Sequence, residues 1–274
     1  MPRYRIGCVP FLNAKPLVAL FAGPEGRHLA EVEFAPPSRL ADWVLDGRVD
    51  VALASSFFAL SHPEFKVAPG VAIASQGKVR SVRLFSRRPF HEIESLALDS
   101  ESMTSNHLAR IILQEKYGIL PECFTRDPVL EAMLAEADAA VLIGDAGMAA
   151  DATGLEAMDL GGAWNELTGL PFVWAMWIGK QRLTPDLAGA LISAKEFGME
   201  HLEQIAKEES ARLEWPFGLC FEYLTESIDF DLSHRHLEGF SRFATYCAAM
   251  GFTDSSALPE IVDEASVAPF TSSL

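Results

Sequence analysis

The chain has 274 residues, of which 49% are hydrophobic and 22% charged, with 19 glycines and 16 prolines. This balance excludes disorder, collagen and coiled coil, and the length favours two compact lobes that share an interface. Thirty-eight acidic residues against 22 basic ones give a formal charge of −16, which disfavours nucleic acid and anionic lipid surfaces as partners.

The cysteines and the amino terminus point to a reducing compartment. Cys8, Cys123, Cys220 and Cys247 form no C-x-x-C pair and no cluster with zinc spacing, so we expect reduced thiols and no metal. The amino terminus has no apolar stretch of leader length. The longest apolar stretch, 170–179, is about half of the ~20 residues that a membrane-spanning helix needs. We therefore expect a cytoplasmic protein without a membrane span.

The first third of the chain alternates strand and helix patterns. Strands are predicted at 4–9, 31–34 and 50–54, and helices are predicted to begin at Asn13 and Ser38. The third strand is apolar throughout, as in a parallel sheet that is buried on both faces. This alternation predicts an α/β fold.

The middle of the chain starts a second series. Two β-prone runs at 71–75 and 81–86 precede a polar segment, 86–94, which we interpret as a hinge. A strand at 96–98 and a helix that ends at Gly118 follow. The chain therefore enters a second α/β lobe after the hinge.

The remaining elements complete this lobe and return to the first one. Asp127-Pro128 predicts a helix start, 139–143 a buried strand, and 172–179 a long strand that crosses back. Thr184 caps a further helix, and helical periodicity then persists to Gly251. The last third of the chain is thus predicted to be helical.

Two α/β lobes joined by two crossovers, with C-terminal helices packed on the first lobe, are typical of the type II periplasmic-binding-protein-like fold. We assign residues 1–87 and 178–274 to lobe 1 and residues 88–177 to lobe 2. A ligand is expected in the cleft between the lobes, near the carboxyl ends of strands.

Polar residues that follow strand ends are the first candidates for a site in this layout. Asn13 follows the first strand, where it either caps a helix or points its amide at a ligand. Ser55, Ser56 and Ser81 either donate hydrogen bonds to a ligand oxygen or form turns with their own backbone.

A run of hydroxyl and amide side chains precedes the helix near 105. It comprises Ser102, Thr104, Ser105 and Asn106, and with the backbone N–H groups it would face a ligand carboxylate at the positive end of the helix. Helix capping is the alternative. Arg80 is the nearby basic residue that we include as a substrate-binding candidate.

Asp145 follows the strand at 139–143 and serves either as a general base or as a turn cap. None of the seven histidines comes directly after a strand. The chain has no dinucleotide, P-loop, zincin or serine-hydrolase motif. The function classes that remain are a reaction without a cofactor and ligand binding without a reaction.

Six segments together resemble one family, the chorismate dehydratases of the futalosine route to menaquinone. The segments are VPFLNAKPL (9–17), VDVALASS (49–56), GKVRSVRLFS (77–86), LDSESMTSN (98–106), LIGDAGM (142–148) and DLGGAWNELTGLPFVWAMW (159–177). A sister enzyme of the route, 1,4-dihydroxy-6-naphthoate synthase, shares part of the last segment. That enzyme carries His-Glu where this chain has Gly144-Asp145, which favours the dehydratase.

The resemblance implies a carbon–oxygen lyase that removes water from chorismate to give 3-[(1-carboxyvinyl)oxy]benzoate, without a cofactor. By this resemblance, Asn13 orients the reacting ring and Ser81 makes a hydrogen bond with the substrate. Thr104, Ser105 and the helix amides hold a carboxylate of this dianion.

Two questions stay open at the level of sequence. The proton acceptor is either Asp145 or the substrate's own enolpyruvyl carboxylate, a hypothesis prompted by the missing histidine. A non-catalytic small-anion binding module of the same fold, or the sister synthase, is the alternative function. Oligomeric state is not indicated by any pattern in the chain.

Overall fold

The structure, a computed structural model, describes residues 3–263, 266 and 267, and they divide into two compact units. The first unit contains the described parts of residues 1–74, 175–233 and 258–274. The second unit contains residues 75–174 and 234–257. Both units combine one sheet with helices, which agrees with the predicted α/β class.

The strands are short, and several are buried along most of their length. In chain order they are β1 (Tyr4–Cys8), β2 (Ala30–Phe34), β3 (Val51–Ser55), β4 (Lys66–Ser75), β5 (Arg83–Ser86), β6 (Ser95–Asp99), β7 (Glu122–Arg126), β8 (Ala139–Leu142), β9 (Glu156–Asp159), β10 (Phe172–Gly179) and β11 (Glu260–Ile261). Within the described residues, the first sheet has the order β11-β4-β10-β3-β1-β2 and the second sheet β7-β6-β8-β5-β9.

Helices follow most of these strands. They are α1 (Ala19–Ala22), α2 (Pro37–Leu45), α3 (Ser56–Ser61), α4 (Thr104–Tyr117), α5 (Leu130–Glu136), α6 (Gly144–Ala149), α7 (Leu160–Thr168), α8 (Pro185–Glu200), α9 (Leu202–Leu213), α10 (Phe217–Glu222) and α11 (His234–Ala249). Among the described residues, no helix is both long enough and apolar enough to cross a bilayer.

Parallel pairing brings strand ends together in each sheet. In the first sheet β1 pairs in parallel with β2 and β3, and β10 runs antiparallel to β3. In the second sheet β6 pairs in parallel with β7 and β8. There β5 runs antiparallel to both β8 and β9, so its amino end lies beside their carboxyl ends.

Aromatic side chains fill part of the core of the second unit. Trp164 lies edge-on to Phe172 at a ring-centroid distance of 5.2 Å, and Phe243 contacts both rings. All three residues are buried. Since Phe243 belongs to α11, this cluster fixes the last helix on α7 and on the start of β10.

The division into units differs from the predicted lobes at two places. Strand β5 ends before residue 87 but pairs with β8 and β9, so it belongs to the second unit. Helices α8 to α10 lie in the first unit, whereas α11 lies in the second. Helical periodicity gives no information about which sheet a helix covers. The ligand cleft expected between the lobes stays a prediction.

Local predictions were wrong where proline or short elements intervene. The segment after Asn13 is a 3₁₀ turn, Leu12–Leu17, followed by α1, because Pro16 has no N–H for an α-helical bond. Asp127-Pro128 precedes α5 rather than starting it. Thr184, by contrast, caps α8 as predicted and accepts a hydrogen bond from the Leu187 N–H at 3.3 Å.

Candidate active site

Three of the predicted residues lie at one edge of the first sheet. Strands β1 and β3 are parallel neighbours, with Gly7 opposite Ala52, so their carboxyl ends lie side by side. Asn13 follows β1 and Ser56 follows β3. The strand order alone therefore places Asn13, Ser55 and Ser56 at the same edge.

Asn13 is not the helix cap that its position allowed. The residue before the 3₁₀ turn is Phe11, and Asn13 itself lies inside the turn. Its Nδ2 donates to the hydroxyl of Tyr223 at 3.1 Å, across 210 residues of sequence. Its Oδ1 is buried without a hydrogen-bond partner in the described part of the chain. The amide is thus held at one end and has unused hydrogen-bonding capacity at the other.

Tyr223 gives this amide two hydrogen-bonding states. A phenol both donates and accepts, so the Tyr223 hydroxyl is able to bond either end of the amide group. With the amide rotated, Oδ1 accepts from the tyrosine and Nδ2 presents N–H donors instead. Tyr223 is itself buried, in a π-helical turn, Tyr223–Ser227. Single π turns of this kind are frequent at functional sites.

Ser55 is the last residue of β3, and Ser56 is the first residue of α3. Ser55 caps α3, because its hydroxyl accepts from the Phe58 N–H at 3.1 Å. Ser56 is completely buried. The turn-forming alternative for Ser55 is confirmed, and any role for these hydroxyls toward a ligand stays a prediction.

The second sheet collects the other candidates at one edge. Because Arg83 pairs with both Leu142 and Asp159, the amino end of β5 lies beside the carboxyl ends of β8 and β9. The carboxyl end of β6 lies there too, since β6 is parallel to β8. This edge therefore brings together Arg80 and Ser81, the residues after β6, and Asp145.

Asp99, the last residue of β6, organises this edge and was missed by the sequence analysis. Its Oδ1 accepts from the Glu101 N–H at 2.8 Å, and its Oδ2 accepts from the Ile143 N–H at 3.1 Å. The carboxylate therefore joins the loop after β6 to the end of β8. Burial raises the pKa of Asp99 to about 6, although both backbone hydrogen bonds act to lower it.

This pKa predicts a dependence of stability on pH that Asp99→Asn should remove. The folded protein binds the proton more tightly than the unfolded chain, so this residue lowers stability as pH rises from about 4 to about 6. We expect wild type to gain about 2 kcal/mol relative to the variant when the pH is lowered from about 7 to about 4.5. Urea unfolding of both proteins at both pH values measures this change. An equal difference in unfolding free energy between wild type and variant at the two pH values would contradict the prediction.

The run Ser102–Asn106 is nearly buried at the amino end of α4. The Ser102 hydroxyl accepts from the Ser105 N–H at 3.2 Å. Asn106 donates from Nδ2 to the Asp99 carbonyl oxygen at 2.9 Å and to that of Ser102. Its Oδ1 is buried and without a partner in the described residues. The capping alternative thus holds for Ser102, while Asn106 keeps one unused acceptor.

Thr104 and Ser105 occupy the first turn of a helix of 14 residues, and both are buried. The partial positive charge at a helix amino end favours an anion near these residues. The residue that precedes the helix, Met103, provides no side-chain cap. The described geometry is compatible with the predicted carboxylate site.

Ser81 lies in a tight, strained turn. Its N–H donates to the Val79 carbonyl oxygen at 2.8 Å, and the intervening Arg80 has φ 63°, a left-handed value that is uncommon outside glycine. A side-chain Cβ at Gly147 of α6 would overlap the Ser81 carbonyl oxygen and lie 2.9 Å from that of Leu142. Ser81 is therefore buried against α6, where only glycine fits.

Asp145 lies in the first turn of α6 and is half-buried. The residue before this helix is Ile143, so Asp145 is not its N-cap residue. Ionised acids are favourable in the first turn of a helix. Its role as a proton acceptor stays a prediction.

Known proteins match most of this chain. A family model described as menaquinone biosynthesis matches residues 4–249. The chain belongs to this family. A chorismate dehydratase of Thermus thermophilus is 32% identical over 233 residues, which cover 78% of this chain and 84% of that protein. The resemblance drawn from the six segments is confirmed.

Solved structures of low sequence identity share the fold of this family member. A protein of Archaeoglobus fulgidus aligns with a TM-score of 0.74 at 13% identity, over 91% of this chain and 98% of that one. The periplasmic aliphatic sulphonate binding protein of Escherichia coli aligns with a TM-score of 0.65 at 13% identity, over 100% and 96%. The predicted periplasmic-binding-protein-like fold is confirmed.

Proposed function

We propose that this chain is a chorismate dehydratase, a carbon–oxygen lyase that forms 3-[(1-carboxyvinyl)oxy]benzoate on the futalosine route to menaquinone. The observation that carries this function is the match to the menaquinone biosynthesis family over residues 4–249, together with the dehydratase of Thermus thermophilus. The substrate is a small dicarboxylate, and the expected cytoplasmic location stays a prediction.

The reaction removes a ring proton and the neighbouring hydroxyl group, and aromatisation of the ring drives it. Negative charge that develops after proton loss must be stabilised by donors that are already in place. A site of neutral amides, hydroxyls and backbone N–H groups, shielded from water, provides such donors without a cofactor. The buried amide and hydroxyl groups at the two sheet edges have this chemistry.

We assign roles to individual residues on this basis. Asn13 orients the reacting ring, because Tyr223 anchors its amide and its Oδ1 has no hydrogen-bond partner among residues 3–263, 266 and 267. Ser81 makes a hydrogen bond with the substrate from its fixed turn. Thr104, Ser105 and the first N–H groups of α4 hold a carboxylate. Arg80 contributes charge beside Ser81, and the Oδ1 of Asn106 accepts from a donor on the substrate or its water.

The substrate's own enolpyruvyl carboxylate takes the ring proton in this proposal. It is tethered a few bonds from the proton, which gives it a high effective concentration. Ser55, Ser56 and Ser102 contribute less directly, because Ser55 and Ser102 bond backbone N–H groups.

Asp145→Asn tests the alternative proton acceptor. We expect kcat within about threefold of wild type, because loss of a true general base costs about 100-fold or more. Steady-state kinetics with chorismate measure this. A loss of about 100-fold, with unchanged circular dichroism and KM, would assign the base role to Asp145.

The assay that tests the function itself follows the substrate. Purified protein incubated with chorismate should produce an aromatic ultraviolet spectrum and a product one water lighter by mass spectrometry. Chorismate that binds and is recovered unchanged would favour the non-catalytic binding module. A protein that leaves chorismate unbound, but acts on the substrate of the naphthoate synthase, would favour the sister enzyme.

A further inference from the structure

The strained turn at Arg80 is held by a carboxylate that has no assigned role in the reaction. Asp159, the last residue of β9, accepts at Oδ1 from the Val79 N–H at 3.0 Å and at Oδ2 from the Arg80 N–H at 2.7 Å. Its Oδ1 also accepts from the Gly162 N–H at 2.9 Å, which caps α7. One side chain thus binds three backbone N–H groups on two segments about 80 residues apart.

These contacts compensate the unfavourable backbone conformation of Arg80. A non-glycine residue at φ 63° is stable only where surrounding groups determine its conformation, and such residues are concentrated at functional sites. The N–H groups that Asp159 accepts from are those of Val79 and of the left-handed residue itself. A hydrogen bond to a carboxylate is stronger than one to a neutral oxygen, so the anchor suits the strained position.

Close packing against α6 also restricts the position of the turn. The carbonyl oxygen of Ser81 contacts Gly147 so closely that a Cβ at that glycine would overlap it. Ser81 therefore lies between α6 and the Asp159 carboxylate. Its hydroxyl position depends on both supports, and displacement of a catalytic contact by about 1 Å costs about 100-fold in rate.

We propose that Asp159 is a positioning residue for the dehydration: it holds the Val79–Ser81 turn in the conformation that presents Ser81 to the substrate. This inference rests on the proposed function, because it uses the role assigned to Ser81. Asp159 does not touch the substrate and acts through the turn.

Asp159→Ser separates this role from helix capping. Serine is an equally good cap, so α7 keeps its first hydrogen bond, but the shorter side chain does not reach Val79 or Arg80. We expect kcat to fall about 10- to 100-fold in a variant that stays folded, with a lower unfolding midpoint because the turn loses two hydrogen bonds. Asp151→Asn is the matched control, because Asp151 also accepts from a backbone N–H in the second unit, that of Thr153 at 2.9 Å, at an exposed site.

A double-mutant cycle provides the readout that a purely structural role would not change. If Asp159 acts through Ser81, the pair Asp159→Ser with Ser81→Ala should be no slower than Ser81→Ala alone. Hydrogen exchange of the Val79 and Arg80 amides should also become faster in Asp159→Ser. Wild-type kcat in that variant, or fully additive losses, would overturn the inference and leave the proposed function intact. Wild-type protein that leaves chorismate unchanged would overturn both.

Discussion

Replacing Asn13 by leucine should lower kcat for chorismate dehydration at least about 100-fold. Leucine keeps the size and shape of asparagine but removes both ends of the amide, so the contact that we propose orients the ring is lost. Losses of this size follow when one preorganised hydrogen-bond donor is deleted from an active site. Steady-state kinetics on folded variant protein measure the effect.

Tyr223→Phe is the control that isolates the amide from its anchor. Both substitutions break the hydrogen bond between Asn13 Nδ2 and the Tyr223 hydroxyl, so each should destabilise the protein by about 1–3 kcal/mol. Only the leucine variant removes the amide that we propose contacts the substrate, so Tyr223→Phe should retain kcat within about tenfold of wild type. Equal losses of kcat would show that Asn13 serves only to bind the tyrosine.

Gly198→Ala should destabilise the first unit by at least about 3 kcal/mol. Gly198 lies in α8, where the helix packs directly on the 3₁₀ turn that contains Asn13. An added Cβ would overlap the Pro16 carbonyl oxygen and lie 2.6 Å from its carbon and 2.8 Å from its Cα. These are backbone atoms, so the clash cannot be relieved by a change of rotamer. The turn and the helix have to move apart.

Gly218→Ala provides a matched substitution at a helical glycine with open surroundings. A Cβ there meets no atom within 4 Å in the described structure, so we expect no loss and a gain of up to about 1 kcal/mol. Urea or thermal unfolding of both variants measures the contrast. Similar stabilities for the two would contradict the close contact at Pro16. A folded Gly198→Ala protein should also show reduced kcat, because Asn13 moves with the turn.

Hydrophobic patterning predicted the elements that are long or apolar. The runs at 4–9, 50–54 and 172–179 correspond to β1, β3 and β10, because buried strands in α/β sheets are continuously apolar. Helix α4 ends at Tyr117, directly before Gly118, which has φ 70°, so the glycine signal at its carboxyl end was reliable. These signals are local, so they can be recognised without knowledge of the fold.

The elements that were missed have weak local patterns. Strand β9 is a four-residue strand with two exposed positions, and α7 starts with two consecutive glycines after its first leucine, which lower helix propensity. Strand β5 was predicted, but its assignment to the second sheet depends on pairing with β8 and β9. Pairing partners of this kind cannot be derived from periodicity alone.

Polar residues near strand ends were selected from the sequence as site candidates, whereas carboxylates that support the backbone were missed. Ser81, Asn106 and Asp145 were selected because they come near strand ends, and their roles toward a substrate stay predictions. Asp99 and Asp159 act by accepting N–H groups 44 and 79 to 80 residues away. No local pattern records such contacts, although an aspartate directly before a Leu-Gly-Gly helix start was a usable signal for Asp159.

The bond between Asn13 and Tyr223 links the first turn of the chain to its helical last third. A chimaera that joins the amino-terminal segments of this protein to the carboxyl-terminal helices of a homologue therefore replaces the partner of Asn13 at the same time. Recombination between parents should preserve function best when residues 13 and 223 are inherited together.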